Sequence, residues 1–142
     1  MPPGEPRRPP AGLSSYEWCV LRVVPRVERC EFVNAGAVVY SLSAGVLVAA
    51  SELDGDRALA LDPTLDLDAV RRHLDVVTAV CAGTHRPSAA LAPGARFRWL
   101  TAPRSTVVQA SPVHTGLAAD PAAELDRLLT AMVRPAGGVG PS

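Results

Sequence analysis

The first third of the chain alternates short apolar stretches with polar or proline-containing breaks, a pattern typical of β-strands. Residues 16–24 are rich in β-branched and aromatic side chains, are apolar on both faces and stop at Pro25. They predict a central strand that is covered on both sides. Residues 32–40 predict a second strand and residues 46–50 a third, with a short turn between these two.

Two later segments have the spacing of amphipathic helices. Residues 66–82 place apolar side chains three and four positions apart, and Gly83 follows as the helix end. The last helix is predicted to begin at Asp120 and Pro121, residue types that favour a helix N-terminus. Its predicted apolar face consists of Leu125, Leu128, Leu129, Met132 and Val133.

Between the two predicted helices, short stretches of alternating side chains predict two further strands. In residues 96–100 charged and aromatic side chains alternate, which places Phe97 and Trp99 in the core and the arginines on a solvated face. Residues 106–110 are predicted to form the other strand. The order of strands, helix, strands and helix predicts an α+β fold, with a mostly antiparallel sheet packed by two amphipathic helices.

Composition predicts where the folded part of the 142-residue chain lies. Five of the first ten residues are proline, so residues 1–14 are predicted to be a disordered, proline-rich arm. Residues 135–142 are rich in glycine and proline and predict a flexible tail. We expect a single α+β domain over residues 15–134, because a chain of this size holds one core.

Charge and cysteine content argue against several classes of protein. The chain has 14 basic and 14 acidic residues and a net charge of zero, so a nucleic-acid partner is not expected. No apolar stretch reaches the roughly 18 residues of a membrane-spanning helix, and no signal-peptide pattern opens the chain, so no membrane association is expected. The three cysteines lack C-x-x-C spacing, which favours free thiols and a reducing, cytoplasmic compartment.

Motifs for cofactors, metals and nucleophilic catalysis are weak. The chain has no glycine-rich phosphate-binding fingerprint and no lysine for a P-loop. Cys81 and His85 have a spacing that two metal ligands use on a helix, but Gly83 interrupts that helix and no second pair follows. His114 lies in a predicted loop beside hydroxyl residues, without the G-x-S-x-G context of a nucleophile. We expect no cofactor and no metal, and we keep His114 as a candidate binding residue.

The strongest candidate site is in the hairpin that joins the first two strands. If the hairpin is symmetric about Glu28, Arg22 lies across from Asn34 to within a residue or two. A guanidinium in an apolar central strand needs a partner, which Glu31 or Glu28 can supply. Asn34 is the only asparagine in the chain and lies just before Gly36, where a backbone or a ligand can approach closely.

Arg26 lies in the same hairpin and completes the candidate binding set. Two interpretations of this cluster stay open. In one it is a pocket in which Arg22 binds an anion or substrate, Glu31 orients it or acts as a base, and Asn34 donates a hydrogen bond. In the other it is a structural cluster that satisfies buried polar groups of the hairpin.

Two segments of the sequence resemble a bacterial protein family. The opening segment, YEWCVLRVVPRVERCEFVNAGAVVY, contains E-x-x-N-x-G at Glu31, Asn34 and Gly36. The closing segment is SPVHTGLAADPAAELDRLLTAMV, residues 111–133. Together they resemble the domain-of-unknown-function family 3037 over residues 16–133. The resemblance implies no established activity. It implies a possible partner, because such proteins are often encoded beside a HipA-like kinase.

We therefore predict a non-catalytic accessory or regulatory protein, with a HipA-like kinase or another co-encoded protein as its partner. The family resemblance and the weakness of the catalytic motifs favour this prediction. The alternative is a small enzyme, or an anion-binding or ligand-binding module, that uses the Arg, Glu and Asn cluster of the opening hairpin. The sequence leaves open whether the protein is an enzyme, and the weakness of its catalytic motifs argues against an enzyme.

Overall fold

The first three strands form an antiparallel meander in the computed structural model, which describes residues 9–135. β1 spans Ser14–Val23, β2 spans Val33–Ser41 and β3 spans Val46–Ser51. A 3₁₀ turn, Val27–Arg29, lies between β1 and β2. The observed strand ends lie within two residues of the predicted ones, so all three predictions are confirmed.

Four helices follow the meander: α1 (Gly55–Leu61), α2 (Leu67–Ala82), α3 (Arg86–Ala89) and α4 (Pro93–Thr101). The predicted helix over residues 66–82 is confirmed by α2. The Asp66 side chain accepts a hydrogen bond from the Ala69 N–H at its start, and Gly83 has a φ of 79° at its end. The sequence analysis missed α1 and α3, because helices of seven and four residues contain too few turns to show a periodic apolar face.

α4 replaces the strand predicted over residues 96–100, so that prediction is wrong. Phe97 and Leu100, three positions apart, are buried in the core, whereas Trp99 is 43% exposed and lies outside it. The core position is therefore confirmed for Phe97 and wrong for Trp99. A five-residue alternation fits a strand face and a short helical turn equally well, and Pro93 at the first helical position favours the helix.

The last two strands both pair with β1. β4 spans Val108–Ala110, a shorter version of the predicted strand, and β5 spans His114–Ala118. The prediction that His114 lies in a loop is wrong. β5 is a peripheral strand with mostly exposed side chains and a glycine at its centre, so it lacks the apolar alternation that marks a strand in a sequence.

A continuous helical segment closes the described chain. It begins as a 3₁₀ turn (Pro121–Ala123), continues as α5 (Glu124–Leu128) and widens into a π-helical turn (Leu129–Val133). We call residues 121–133 the C-terminal helix. Met132, predicted to lie on its buried face, is 41% exposed. A π-helical turn holds more residues than the 3.6-residue turn on which the prediction rested, so Met132 moves off the apolar face.

The five strands form one antiparallel sheet in the order β3-β2-β1-β4, with β5 beside the first half of β1. α2 and α4 cover one face of this sheet, and their core includes Val38, Leu74 and Phe97. The C-terminal helix covers the other face, where Val39 and Leu128 are buried. The protein thus has the predicted α+β fold. Its helical layers lie on both sides of the sheet, so β1 and β2 are buried on both faces, as predicted for β1.

The predicted arm and tail fall largely on residues 1–8 and 136–142, which lie outside the described part of the chain. The limits of the folded domain therefore stay predictions. Within residues 9–135, no helix combines the length and the apolar character that crossing a membrane requires.

Candidate functional site

The β1–β2 ladder places Arg22 directly opposite Asn34. This confirms the pairing predicted from the symmetry of the hairpin. Opposed residues of an antiparallel pair project to the same side of the sheet, which is here the side of the C-terminal helix. The register shifts between Leu21 and Arg22, and such a bulge changes the direction of the side chains that follow it.

Gly36 lies opposite Leu21 on β1 and Ser51 on β3, at the point where three strands come together. A Cβ atom at this position would lie 2.6 Å from the carbonyl oxygen of Ala50 and 3.1 Å from Leu21 Cδ1. Of the two predicted uses of this glycine, the structure shows the close approach of backbone. Gly36 supports the site by letting β2 and β3 pack, and it offers no binding group of its own.

The Arg22 side chain has no acidic partner in the described structure. Its guanidinium carbon lies 4.2 Å from the centre of the Phe32 ring, a cation–π contact. Its Nε atom is buried and has no hydrogen-bond acceptor among residues 9–135. No acidic side chain in the same range lies within 4.0 Å of its charged nitrogens. The interaction that holds this arginine is the aromatic ring.

Asn34 connects β2 to the end of the C-terminal helix. Its Nδ2 donates a hydrogen bond of 2.9 Å to the main-chain carbonyl of Met132, one of the last carbonyls of that helix. Its Oδ1 is buried and has no donor among the described residues. Asn34 therefore has a structural role, as one interpretation of the cluster held, and it also leaves an unused acceptor beside the unused donor of Arg22.

These contacts produce a small mixed surface, which we call the Arg22 surface: Arg22, Phe32, Asn34 and Met132. Phe32 is 44% exposed, and Met132 is exposed to a similar extent. An unpaired cation, an aromatic ring and a flexible thioether thus occur on one side of the sheet. These two exposed apolar side chains and the unpaired guanidinium are the groups that this surface offers to another molecule.

The other charged residues of the hairpin form ion pairs with residues other than Arg22. Glu31 forms its ion pair with Arg29, two residues earlier, so the predicted pair between Glu31 and Arg22 does not form. Arg26 reaches the carboxylate of Asp62, with Nε 3.5 Å from Oδ2. The candidate set therefore separates: Arg22 and Asn34 come together, while Glu31 and Arg26 belong to ion pairs elsewhere.

His114 lies at the other end of the same sheet face. It is directly opposite Trp18, and the two rings are in contact at an angle of 31°, with their centres 4.5 Å apart. The neighbouring Ser111 hydroxyl is buried, accepts a hydrogen bond from the Val20 N–H and donates one to the Pro112 carbonyl. Because that hydroxyl is occupied by main-chain groups, it is not positioned as a nucleophile for His114.

The three cysteines are free thiols. Cys19 and Cys81 are buried, and burial raises the pKa of each thiol to about 12. Cys30 is exposed at the end of the β1–β2 turn, where its φ is 58°. The described residues contain no group of three histidine, cysteine or acidic side chains that could hold a metal ion.

A carboxylate that the sequence analysis did not single out, Asp62, lies at a cavity beside α2. Asp62 is 7% exposed, and two hydrogen bonds from Thr64, together with the nearby Arg26, hold its pKa below the ordinary value. The cavity of about 630 Å³ lies between α2 and β4, and Val70 and Val107 are among its largely apolar lining. No signal in the sequence marks Asp62, because its burial depends on the packing of α1 and α2.

Comparison with known proteins identifies a family for this chain but no activity. The family described as a protein of unknown function, DUF3037, matches residues 18–133. No curated protein and no solved structure matches the chain. The family match covers both helical layers and all the strands except the start of β1. The chain belongs to the DUF3037 family of proteins of unknown function.

Proposed function

We propose that this domain is a non-catalytic accessory or regulatory protein that binds a HipA-like kinase in the bacterial cytoplasm. The Arg22 surface is the proposed docking site. The observation that carries this proposal is the guanidinium of Arg22, which is held against the exposed Phe32 ring and has no acidic partner among residues 9–135.

Each feature of this surface favours association with a protein. Arginine and aromatic residues are enriched among the side chains that dominate interface energies. A guanidinium already fixed by an aromatic ring loses little freedom when a carboxylate binds it. The buried Nε of Arg22 lacks an acceptor among residues 9–135, so this guanidinium keeps an unused donor. Met132 adds an apolar contact that adapts to the shape of its neighbour.

The partner surface that fits is an aspartate or glutamate beside an apolar patch. The carboxylate would pair with Arg22, and the apolar patch would cover Phe32 and Met132. The alternative of a small enzyme needs Glu31 beside Arg22 as an orienting group or base. Because Glu31 is paired with Arg29, we favour a binding surface over a reaction centre.

Co-expression of this chain with a HipA-like kinase tests the proposal. The two proteins should co-purify, and Arg22→Gln and Phe32→Ala should each weaken the complex by about tenfold or more. Arg72→Gln is the matched control, because Arg72 is an exposed arginine on α2, on the opposite side of the sheet. Thermal melts of all variants separate loss of binding from loss of folding.

The outcomes are distinct. Absence of a complex, with both proteins soluble, would contradict the kinase as partner. A complex that withstands both Arg22→Gln and Phe32→Ala would contradict the Arg22 surface as the docking site. If the isolated domain binds a small carboxylate through Arg22 and no kinase, the ligand-binding alternative is the correct one.

A further inference from the structure

The cavity beside α2 lies on the sheet face that α2 and α4 cover, away from the Arg22 surface. It lies between the first half of α2 and the start of β4, and its volume is about 630 Å³. Val27, Leu65 and Val70 are among the apolar side chains of its wall. Sites for small molecules have volumes of roughly 300–1,000 Å³ and apolar walls with a few polar groups. The cavity therefore has the size and the lining of a small-molecule site.

Asp62 is the most deeply buried polar side chain of this wall, and one of its two oxygens is free to bind a ligand. Its Oδ1 accepts hydrogen bonds from the N–H and the hydroxyl of Thr64, at 2.9 and 2.7 Å. Its Oδ2 lies 3.5 Å from Nε of Arg26, beyond the roughly 2.7–3.2 Å of an N–H···O hydrogen bond. The Arg26 side chain is 49% exposed, and so exposed an ion pair contributes little. A ligand with a closer donor can therefore take Oδ2.

The hydroxyl groups of the wall are also acceptors. The Thr64 hydroxyl donates its proton to Asp62, and the Thr106 hydroxyl donates its proton to the Val108 carbonyl at 2.8 Å. A hydroxyl has a single proton to donate, so both threonine oxygens have only lone pairs left for a ligand. A ligand that fits this wall must therefore supply hydrogen-bond donors.

The charges along the wall favour a cation. Asp66 adds a second carboxylate and accepts a hydrogen bond from the Ala69 N–H, so the partial positive charge at the start of α2 already faces a carboxylate. Partial burial, together with the nearby Arg104, lowers the pKa of His73, so this imidazole is neutral at pH 7. The lining, within residues 9–135, includes no arginine, and the chain has no lysine. The wall is therefore negatively charged.

We propose that this cavity binds a small primary amine, with the apolar body of the ligand between α2 and β4 and its ammonium group donating to Oδ2 of Asp62. An ammonium group has donors and no acceptor, which matches a wall of carboxylate and hydroxyl oxygens. The site is separate from the proposed kinase-binding surface, which lies on the sheet face that the C-terminal helix covers. Ligand binding and kinase binding thus use different residues.

NMR titration of the full chain at pH 7 with three small probes tests this proposal. The probes are 2-phenylethylamine, its neutral analogue 2-phenylethanol and the anion phenylacetate, which share one aromatic body. The amine should shift the amide signals of Ala69, Val70 and Val107, which line the cavity. It should bind about tenfold more tightly than the alcohol, because its ammonium group pairs with a carboxylate. Phenylacetate should bind more weakly than either.

Two variants separate the roles of charge and cavity. Asp62→Asn keeps an oxygen that can accept from Thr64 and removes the negative charge, so it should weaken amine binding by about tenfold and leave the alcohol unaffected. Asp68→Asn is the matched control, because Asp68 is an exposed carboxylate of α2 outside the cavity lining. Ala69→Leu places a larger side chain in the cavity and should weaken the binding of both the amine and the alcohol.

The results that would overturn the proposal are specific. One is equal affinity of the parent chain for the amine and the alcohol, and another is tightest binding of phenylacetate. Unchanged amine binding in Asp62→Asn, or in Ala69→Leu, would also refute the assignment of this cavity. If Asp62→Asn does not fold, the comparison of the three probes on the parent chain and on Ala69→Leu decides the result.

Discussion

Replacement of Gly36 by alanine tests whether β2 and β3 approach too closely for a side chain. The new methyl group would lie 2.6 Å from the Ala50 carbonyl oxygen, about 0.8 Å inside the 3.4 Å at which ordinary contact begins. The obstacle is main chain, so the strands must separate. Overpacking of this kind lowers stability by about 1–3 kcal/mol. Each ladder hydrogen bond that is weakened adds about 1 kcal/mol.

One effect opposes this loss. Alanine restricts the unfolded chain, which stabilises a protein by about 0.4–1 kcal/mol where the native backbone accepts it. The expected net result for Gly36→Ala is a decrease of about 1–3 kcal/mol in the free energy of unfolding. Urea denaturation followed by circular dichroism measures this value, provided that the slope of the transition is unchanged.

Gly55→Ala is the matched control. A methyl group there would meet Leu67 Cδ1 at 3.0 Å and Arg71 Nη2 at 3.5 Å, which are the ends of flexible side chains. Gly55 also begins α1, where alanine is the better helix former. We expect unchanged or slightly increased stability. If Gly36→Ala is as stable as Gly55→Ala, the reasoning from the close approach of the strands is refuted.

Leu128→Ala should lower the free energy of unfolding by about 2–5 kcal/mol, because this side chain is 2% exposed; an effect under about 1 kcal/mol would show that the C-terminal helix packs weakly. Thr64→Val removes a 2.7 Å hydrogen bond to Asp62, whose pKa lies below its ordinary value of 3.8. That hydrogen bond stabilises the fold above this value and loses its effect as the pH falls through the lower folded pKa, so acid titrations of stability should be shallower for the variant. With a thiol reagent at neutral pH, Cys30 should react at once and the two buried cysteines only on unfolding, and fewer than three thiols in the denatured chain would indicate a disulfide.

The sequence predicts the centre of the sheet well and its periphery poorly. β1 and β2 are apolar on both faces because helices cover both sides, and that pattern is readable without tertiary information. β5 lies at the edge of the sheet, where exposed side chains carry little periodicity, and α4 is too short to show a clear one. A five-residue window such as residues 96–100 cannot separate a strand from a helical turn, so packing on α2 and β2 decides the outcome.

The candidate site shows the same division between local and distant contacts. The opposition of Arg22 and Asn34 follows from a short hairpin and was predictable. The hydrogen bond from Asn34 to Met132 joins residues 98 positions apart, and no local pattern contains it. The hairpin has three arginines, and Glu31 pairs with the one nearest in sequence, Arg29. The partner of a charged side chain depends on turn geometry, which the residue types alone do not specify.

The central position of β1 has a consequence for synthesis on the ribosome. β1 is made first, and its neighbours on the outer side, β4 and β5, are made last; the hydrogen bond between Val20 and Ser111 spans 91 positions. Until those strands emerge, the nascent chain can complete only the β1–β3 meander and the helices α1 to α4. Closing so long a loop slows folding and leaves the open side of β1 accessible to other chains in the meantime. The five-stranded sheet can therefore first be completed when translation has reached the end of β5.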